Sequence, residues 1–308
     1  YSKVNLLSGI LNGEYSTKKY SLQSKNIFSS QTENTFQKRG GSNFDNGMDI
    51  STSAYNTTNK NLFNSQLTLK TKGLTTEGTF GIVSRSQPDY RIDPKSKSIG
   101  SDGNYSIIWR ETYRFWSTMN DMSYGIKSDY SFKKFKTGIS YWGKSRDFSA
   151  RVFRYSSENL LDEITNNTDR YSAGFHLLSA YGLWEGEFKG IKISSGMRNE
   201  SNLFTVNTSD FSGSPVRVRK FYNNILPSFN LVVKGGSKSN MRVSGSRTVV
   251  RPEFREVANF SYYDFTRNAQ IVGNPKLIQS DVYNGDIKYE YFPTPDRSEE
   301  HTSELQSH

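Results

Sequence analysis

The sequence contains no cysteine, which removes disulfide staples and thiolate metal sites from its chemistry. Histidine is scarce too: there are three, and His301 and His308 both fall in the last few residues. No stretch approaches the roughly 18 consecutive apolar residues of a membrane-crossing helix. Hydrophobic residues are 33% of the chain, short of the share, about 45–50%, usual in soluble globular proteins. A large soluble core would draw on more Leu, Val and Ile. HExxH, GxSxG, P-loop and EF-hand patterns are missing. No catalytic residue, metal ligand or cofactor is therefore expected, and the chain is not expected to be an enzyme. Tyr1-Ser2-Lys3-Val4 does not open a signal peptide, which needs a charged start followed by an apolar core.

What the chain has instead is aromatic side chains, 14% of residues, with 19 Tyr and 20 Phe, set in a period-two pattern. From Leu67 and Leu69 onward the alternation is regular. Gly78, Phe80 and Ile82 share a phase, as do Met122, Tyr124, Ile126, Tyr130 and Phe132. Ile139 and Tyr141 follow, then Tyr171, Ala173, Phe175, Leu177, Tyr181 and Leu183. Ile191, Ile193 and Met197 come next, then Phe229, Leu231 and Val233, then Met241 and Val243. Tyr283, Ile287, Tyr289 and Tyr291 close the series. On these phases the only charge is Arg247. The opposite phases carry Lys127, Asp129, His176, Lys192, Arg198, Arg242 and Lys288.

Short turns near Gly73, Lys134, Lys189 and Gly236 alternate with long loops at Asp89–Thr112, Tyr155–Asp169, Asn207–Lys220 and Pro252–Lys276. That rhythm, with charges on one phase only, is the pattern of a transmembrane barrel: a lipid-facing Lys or Arg at the midplane costs about 2–4 kcal/mol. The expected fold is all-β, an antiparallel up-and-down transmembrane β-barrel wall of about ten strands, incomplete and hence an open curved sheet. Pro227 cannot donate to a ladder, so it belongs at a strand end or a bulge. Residues 1–58, rich in Ser, Asn, Lys and Gly, alternate only weakly and are not placed. Residues 59–296 form the barrel region. The net charge of +10 comes with no block of five or six like charges and no nucleic-acid-binding motif. It is read as solvated loops and a basic lumen, with no nucleic-acid partner.

The motifs Ser246-Arg247-Thr248, Arg251-Pro252-Glu253-Phe254-Arg255-Glu256, Phe260-Ser261-Tyr262-Tyr263-Asp264-Phe265, Val272-Gly273-Asn274-Pro275 and Tyr289-Glu290-Tyr291-Phe292-Pro293 occur in that order. With Gln87-Pro88-Asp89-Tyr90-Arg91, Arg146-Asp147-Phe148 and Leu226-Pro227-Ser228, this region resembles the barrel domain of TonB-dependent outer-membrane receptors of the Bacteroidota type. The resemblance covers roughly Leu67 to Pro295. It implies outer-membrane lipid around the barrel, a small nutrient ligand, and a TonB complex acting through a plug domain that lies outside this chain. Siderophores, cobalamin, oligosaccharides and peptides are the ligand classes it leaves open. A passive porin or adhesin barrel and a soluble carbohydrate-binding β protein are the alternatives. Tyr90, Arg91, Arg251, Tyr262 and Tyr263 are the candidate ligand contacts, as aromatic faces and donors on the long loops. Lys127, Asp129, His176, Lys192, Arg198, Arg242 and Lys288 are expected to face the lumen. The tail Arg297–His308 resembles a translated sequencing adapter and is expected to pack against nothing.

Overall fold

The computed structural model describes residues 1–43, 48–92, 94–99, 105–109, 113–155, 161–163, 169–209, 213–236, 238–259, 261–264, 269–294 and 297–303. It opens with β1 (Ser2–Ser16), β2 (Tyr20–Asn43), β3 (Met48–Thr71) and β4 (Leu74–Ile92). A small hairpin, β5 (Pro94–Ile99) and β6 (Tyr105–Trp109), leads to β7 (Tyr113–Phe132) and β8 (Phe135–Tyr155). The short β9 (Leu161–Glu163) precedes β10 (Asp169–Phe188), β11 (Ile191–Ser209), β12 (Pro215–Lys234) and β13 (Ser239–Val250). The chain then leaves the sheet through α1 (Phe254–Val257) and the hairpin of β14 (Ser261–Asp264) and β15 (Ala269–Val272). It returns as β16 (Ser280–Thr294) and β17 (Arg297–Ser303).

The wall is one antiparallel up-and-down path, β1-β2-β3-β4-β7-β8-β10-β11-β12-β13-β16-β17, whose first and last strands do not pair. The sheet is open, as expected, but has twelve strands on its path rather than about ten. Residues 1–58 supply β1, β2 and part of β3, although their apolar contrast is weak. Cross-strand polar pairs support these strands instead: Thr32 donates to Asn59 (2.9 Å), Thr57 to Asn34 (2.9 Å) and Ser65 to Asn26 (2.7 Å). Arg297–Ser303 also pairs along β16, so the expectation that the tail packs against nothing is corrected. The free ladder groups of β16 offer any extended segment a partner.

Antiparallel pairing returns every second connection to the same rim. One rim holds the turns at 17–19, 72–73, 133–134, 189–190 and 235–238. The other holds the connections at 93–112, 156–168, 210–214 and 251–279. The first three long connections are shorter than the sequence suggested, because β4, β8, β10, β11 and β12 run on into them, whereas 251–279 is slightly longer. Lys189 (φ 46°) and Gly190 (φ 84°) place both central residues of one turn at positive φ. This is the type I′ arrangement, whose twist matches the paired strands. Pro227 is mid-strand in β12, opposite Met197 of β11, not at a strand end. The β12–β13 ladder begins at Ser228↔Ser246, so the missing N–H coincides with the point where β13 departs.

Register separates the two faces. Phe80, Tyr124, Gly143, His176, Leu203 and Phe221 stand side by side across six strands. Nearer the short turns, Leu74, Tyr130, Thr137, Gly182, Met197 and Pro227 do the same. Between the turns and the upper row, this face of β4 to β12 carries no Asp, Glu, Lys or Arg. It leaves Ile126, Ile139, Met197, Ile225 and Phe188 exposed. Phe80, Tyr124 and Phe221 at its upper limit, and Phe132, Phe135, Trp184 and Phe188 near the short turns, match the aromatic girdles of a lipid-facing band about 25 Å tall.

One strand runs in the opposite phase to that expected. Tyr171, Ala173, Phe175, Leu177, Tyr181 and Leu183 of β10 share the face of Lys127, Arg146 and Arg198, whereas Leu178, Trp184 and His176 stand on the apolar face. His176 is therefore not on the polar face. It lies in the upper aromatic row, its ring 6.2 Å from that of Tyr141 and its Nδ1 2.8 Å from the Tyr141 hydroxyl. The inward apolar groups of β10 have a local cause: α1 packs on them.

Candidate functional site on the polar face

The polar face is laced with ion pairs. Arg146 donates from Nε and Nη2 to the two oxygens of Asp121, both at 2.6 Å, the bidentate geometry in which guanidinium–carboxylate pairs are strongest. Lys144 Nζ adds a contact at 3.4 Å. Further along, Arg198 donates to Glu200 Oε1 (2.7 Å) and Ser179 Oγ (2.9 Å). The other oxygen of Glu200 accepts from Arg251 Nη2 at 2.5 Å. Closer to the short turns, Asp129 takes Lys127 (2.7 Å) and the Tyr181 hydroxyl (2.7 Å). Lys192 lies 3.5 Å from Glu187, and Glu290 collects Lys288 (3.1 Å) and Arg242 (3.7 Å). Removing carboxylates from water is tolerable only because each has its cation.

Arg251 marks where the long 251–279 connection folds onto this face. Its guanidinium lies 5.9 Å from the Phe175 ring centroid. Phe254, 4% exposed, meets Phe204 at 5.3 Å and sits under Arg146 (5.6 Å) and Lys144 (5.8 Å). Val257 and Ala258 are fully buried, in one cluster with Tyr171, Ala173, Phe175, Phe204, Val206 and Val218. Burying an aromatic or branched side chain contributes about 1.5–3 kcal/mol, so this small cluster can hold the whole connection down. The Glu253 backbone N–H donates to Glu256 Oε2 at 2.8 Å at the start of α1. The return path is tied as well. Lys220 Nζ donates to the Pro275 carbonyl (2.8 Å) and to that of Leu277, and Asn224 and Gln279 exchange carboxamide hydrogen bonds. A cavity of about 420 Å³ remains, with Arg251, Arg255, Glu256, Asn274 and Ile278 in its wall.

Lys127, Asp129, Lys192, Arg198, Arg242 and Lys288 share the polar face, and His176 does not. Of the five candidate ligand contacts, Tyr90 and Arg251 stand on opposite faces. Tyr90 stands on the apolar side of β4, above the band, where Arg114 stacks 5.0 Å from its ring. Arg251 is engaged with Glu200 on the other face. Arg91 lies in β4 and Tyr262 and Tyr263 in β14, and their side chains fall outside the described residues. The groups missed in sequence are Asp121, Lys144, Glu200, Lys220 and Gln279. The alternation of Arg198 with Glu200 on one strand face was the available signal.

Asp89 forms a second feature of the polar face, on β4 above the band. It is 8% exposed, Gln87 Nε2 donates to its Oδ2 at 2.9 Å, and its Oδ1 has no partner. Asn56, opposite it on β3, also has an unpartnered buried Oδ1. Burial pushes the Asp89 carboxyl up from 3.8 to about 7, against the lowering effects of Gln87 and Arg85.

An open wall with an uncharged aromatic-edged face and an ion-paired face is the build of a membrane barrel. The model of the outer membrane protein beta-barrel family matches residues 106–299, well over half of the chain. The chain belongs to that family, and its place is the outer membrane. No curated protein matches it. Among solved structures it is similar to the copper transporter OprC, at 10% identity over 96% of this chain and 52% of that one, TM-score 0.43. It is also similar to the siderophore receptor PiuA from Acinetobacter baumannii, at 10% identity over 94% and 50%, TM-score 0.44. The ferric yersiniabactin uptake receptor FyuA from Yersinia pestis is a third, at 10% over 95% and 52%, TM-score 0.36. The chain spans about half the length of each.

Proposed function

We propose that this chain is part of the barrel of an outer-membrane receptor for TonB-energised uptake of a scarce nutrient, of the Bacteroidota type. The observation that carries it is the connection 251–279, laid onto the polar face by Arg251, Phe254, Lys220 and Gln279. A receptor uses such a segment to narrow the entry and to present donors and aromatic faces to a ligand. The ordered motifs that resemble this family lie in that connection and in β13 and β16 around it. On this reading the polar face is the lumen, the rim of long connections is extracellular and the rim of short turns periplasmic. Siderophore, cobalamin, oligosaccharide and peptide stay open as ligand classes, and a plug domain supplies the TonB contact. Residues 297–308, which resemble translated adapter sequence, take no part.

The test is uptake of radiolabelled members of these classes by cells expressing the full gene, with TonB present and deleted. Accumulation of one class that disappears without TonB is the expected result. Accumulation that continues unchanged without TonB identifies a passive pore and overturns the proposal.

A further inference from the structure

The apolar face has a charged upper border, and its composition is one-sided near β10 to β12. Directly above the row containing His176, Leu203 and Phe221, the next row sets Gly174, Thr205 and Arg219 side by side, and the one above sets Asp147, Ser172, Asn207 and Arg217. Ser149 and Arg170 stand opposite one another in the row above that. Arg170, Arg217 and Arg219 are all exposed. Strands lie about 4.8 Å apart and same-face residues about 6.8 Å apart along a strand. Arg170 and Arg217, on strands that flank β11, are thus about 10 Å apart sideways. Beside Arg170, over β7 to β11, lies a cleft of about 470 Å³ whose wall includes Asn120, Asp147, Ser149, Arg170, Ser172 and Asn207; Arg217 and Arg219 stand on β12, next to its β11 side. Asp147, exposed, is the one acid in these rows.

Elsewhere on this border the arginines are occupied. Arg151 pairs with Glu163 at 2.5 Å, Arg247 with Asp281 at 2.9 Å, and Arg114 lies over Tyr90 and Trp116. Arg170 lines the cleft, and Arg217 and Arg219 stand on β12 beside Asn207 and Thr205 of β11. They stand one to three rows beyond the aromatic girdle, where the head groups of the surrounding leaflet begin. Exposed Phe221, 67% accessible, is next on the same face to Arg219. The apolar surface and the cations therefore address one amphipathic molecule.

We propose that Arg170, Arg217 and Arg219, with the Ser172–Asn207 cleft, form a docking site for the phosphate-bearing head group of an anionic membrane lipid. Its acyl chains lie along Phe221, Ile225 and Leu178. Guanidinium forks match phosphate oxygens, and the hydroxyls and amides between them suit a sugar. On the sidedness proposed above, the occupant is a phosphorylated glycolipid of the outer leaflet.

The experiment is native mass spectrometry of the purified protein in neutral detergent, titrated with bis-phosphorylated lipid A and with its dephosphorylated form. Arg170→Gln, Arg217→Gln and Arg219→Gln are made singly and together. Lys18→Gln, Lys72→Gln and Lys238→Gln, at the opposite rim, remove the same charge as a control. Heat-modifiable migration on gels checks that each variant folds. The expected loss of affinity is about fivefold per arginine and on the order of a hundredfold for all three, with the control unchanged and the dephosphorylated lipid weak throughout. Should the triple variant not fold, the single Arg217→Gln variant carries the test. Unchanged binding in folded variants overturns the site. Equal loss in the control shows a general charge effect and overturns it too. Displacement of lipid A by millimolar inorganic phosphate identifies a soluble-anion site and overturns the lipid assignment.

Discussion

A Cβ on Gly273 would stand 1.9 Å from the carbonyl oxygen of Ala258. The next residue, Asn274, donates its N–H to the Glu256 carbonyl at 2.6 Å. Backbone thus lies on backbone where the return of the long connection crosses the end of α1, and only glycine fits. Gly273→Ala is expected to release the 251–279 connection while leaving the wall folded, because the clash is confined to the connection. Limited proteolysis of the detergent-solubilised protein measures it. Cleavage within 251–279 should accelerate by tenfold or more, the equivalent of about 1.4 kcal/mol of local stability. An unchanged cleavage rate contradicts the packing described here.

Glu200 is shared by two arginines, so its loss is expected to cost more than the loss of either. The Glu200 side chain is 10% exposed and that of Arg251 23%, which places the pair between surface and buried behaviour. A double-mutant cycle of Glu200→Gln and Arg251→Gln should give a coupling of about 1–3 kcal/mol, well above the roughly 0.5 kcal/mol scatter of independent sites. Urea unfolding in neutral micelles supplies the four stabilities. Additive effects would mean that the contact does not hold the connection.

Much of the wall was legible because membrane physics writes it plainly. A charge on the lipid face is expensive, so Lys127, Asp129, Lys192 and Arg198 had to fall on one phase, and they do. The fold class followed from the same cost, and the alternating rims from the rhythm of short turns and long loops. Residues 1–58 were illegible because Thr32–Asn59 and Ser65–Asn26 pairs hold strands without apolar contrast. β10 was misread because its inward phase is covered by α1, a contact supplied by residues far along the chain. A strand carrying apolar groups on both faces has no legible phase. The candidate ligand contacts were chosen from loop position and side-chain type, and strand extension put Tyr90 on the far side from Arg251.

Asp89 makes the upper part of β4 sensitive to pH. Its carboxyl titrates near 3.8 when unfolded and near 7 when folded. Between those values the folded chain keeps a proton that the unfolded chain has released, so stability falls as pH rises, by about 1.4 kcal/mol per unit at most. It is flat below the lower value and above the upper one. Protonation also gives the carboxyl a hydrogen to offer the unpartnered Asn56 Oδ1. Urea midpoints in neutral micelles at pH 5 and pH 8 should differ in that direction, and Asp89→Asn should remove most of the difference. A midpoint that rises between pH 5 and pH 8, or a slope unaffected by Asp89→Asn, refutes the assignment.

The reversed phase of β10 can be tested at two adjacent leucines. Leu178 is 59% exposed on the apolar face, beside Tyr141 of β8, whereas Leu177 packs against the cluster under α1. Alternation along the sequence assigns them the other way round, and sequence alone cannot choose, since both are leucine. A nitroxide attached at Leu178→Cys in a bilayer is expected to collide with dissolved oxygen, which concentrates in lipid, and not with a water-soluble nickel chelate. At Leu177→Cys both collision rates should be low, because packed protein shields the label. A lipid-like signal at 177 in place of 178 would return His176 to the lumen and separate Phe175 from Arg251. It would also detach α1 from its floor, since Phe175 and Tyr171 share the phase of Leu177. A single inverted result would therefore undo the packed connection on which the receptor reading rests.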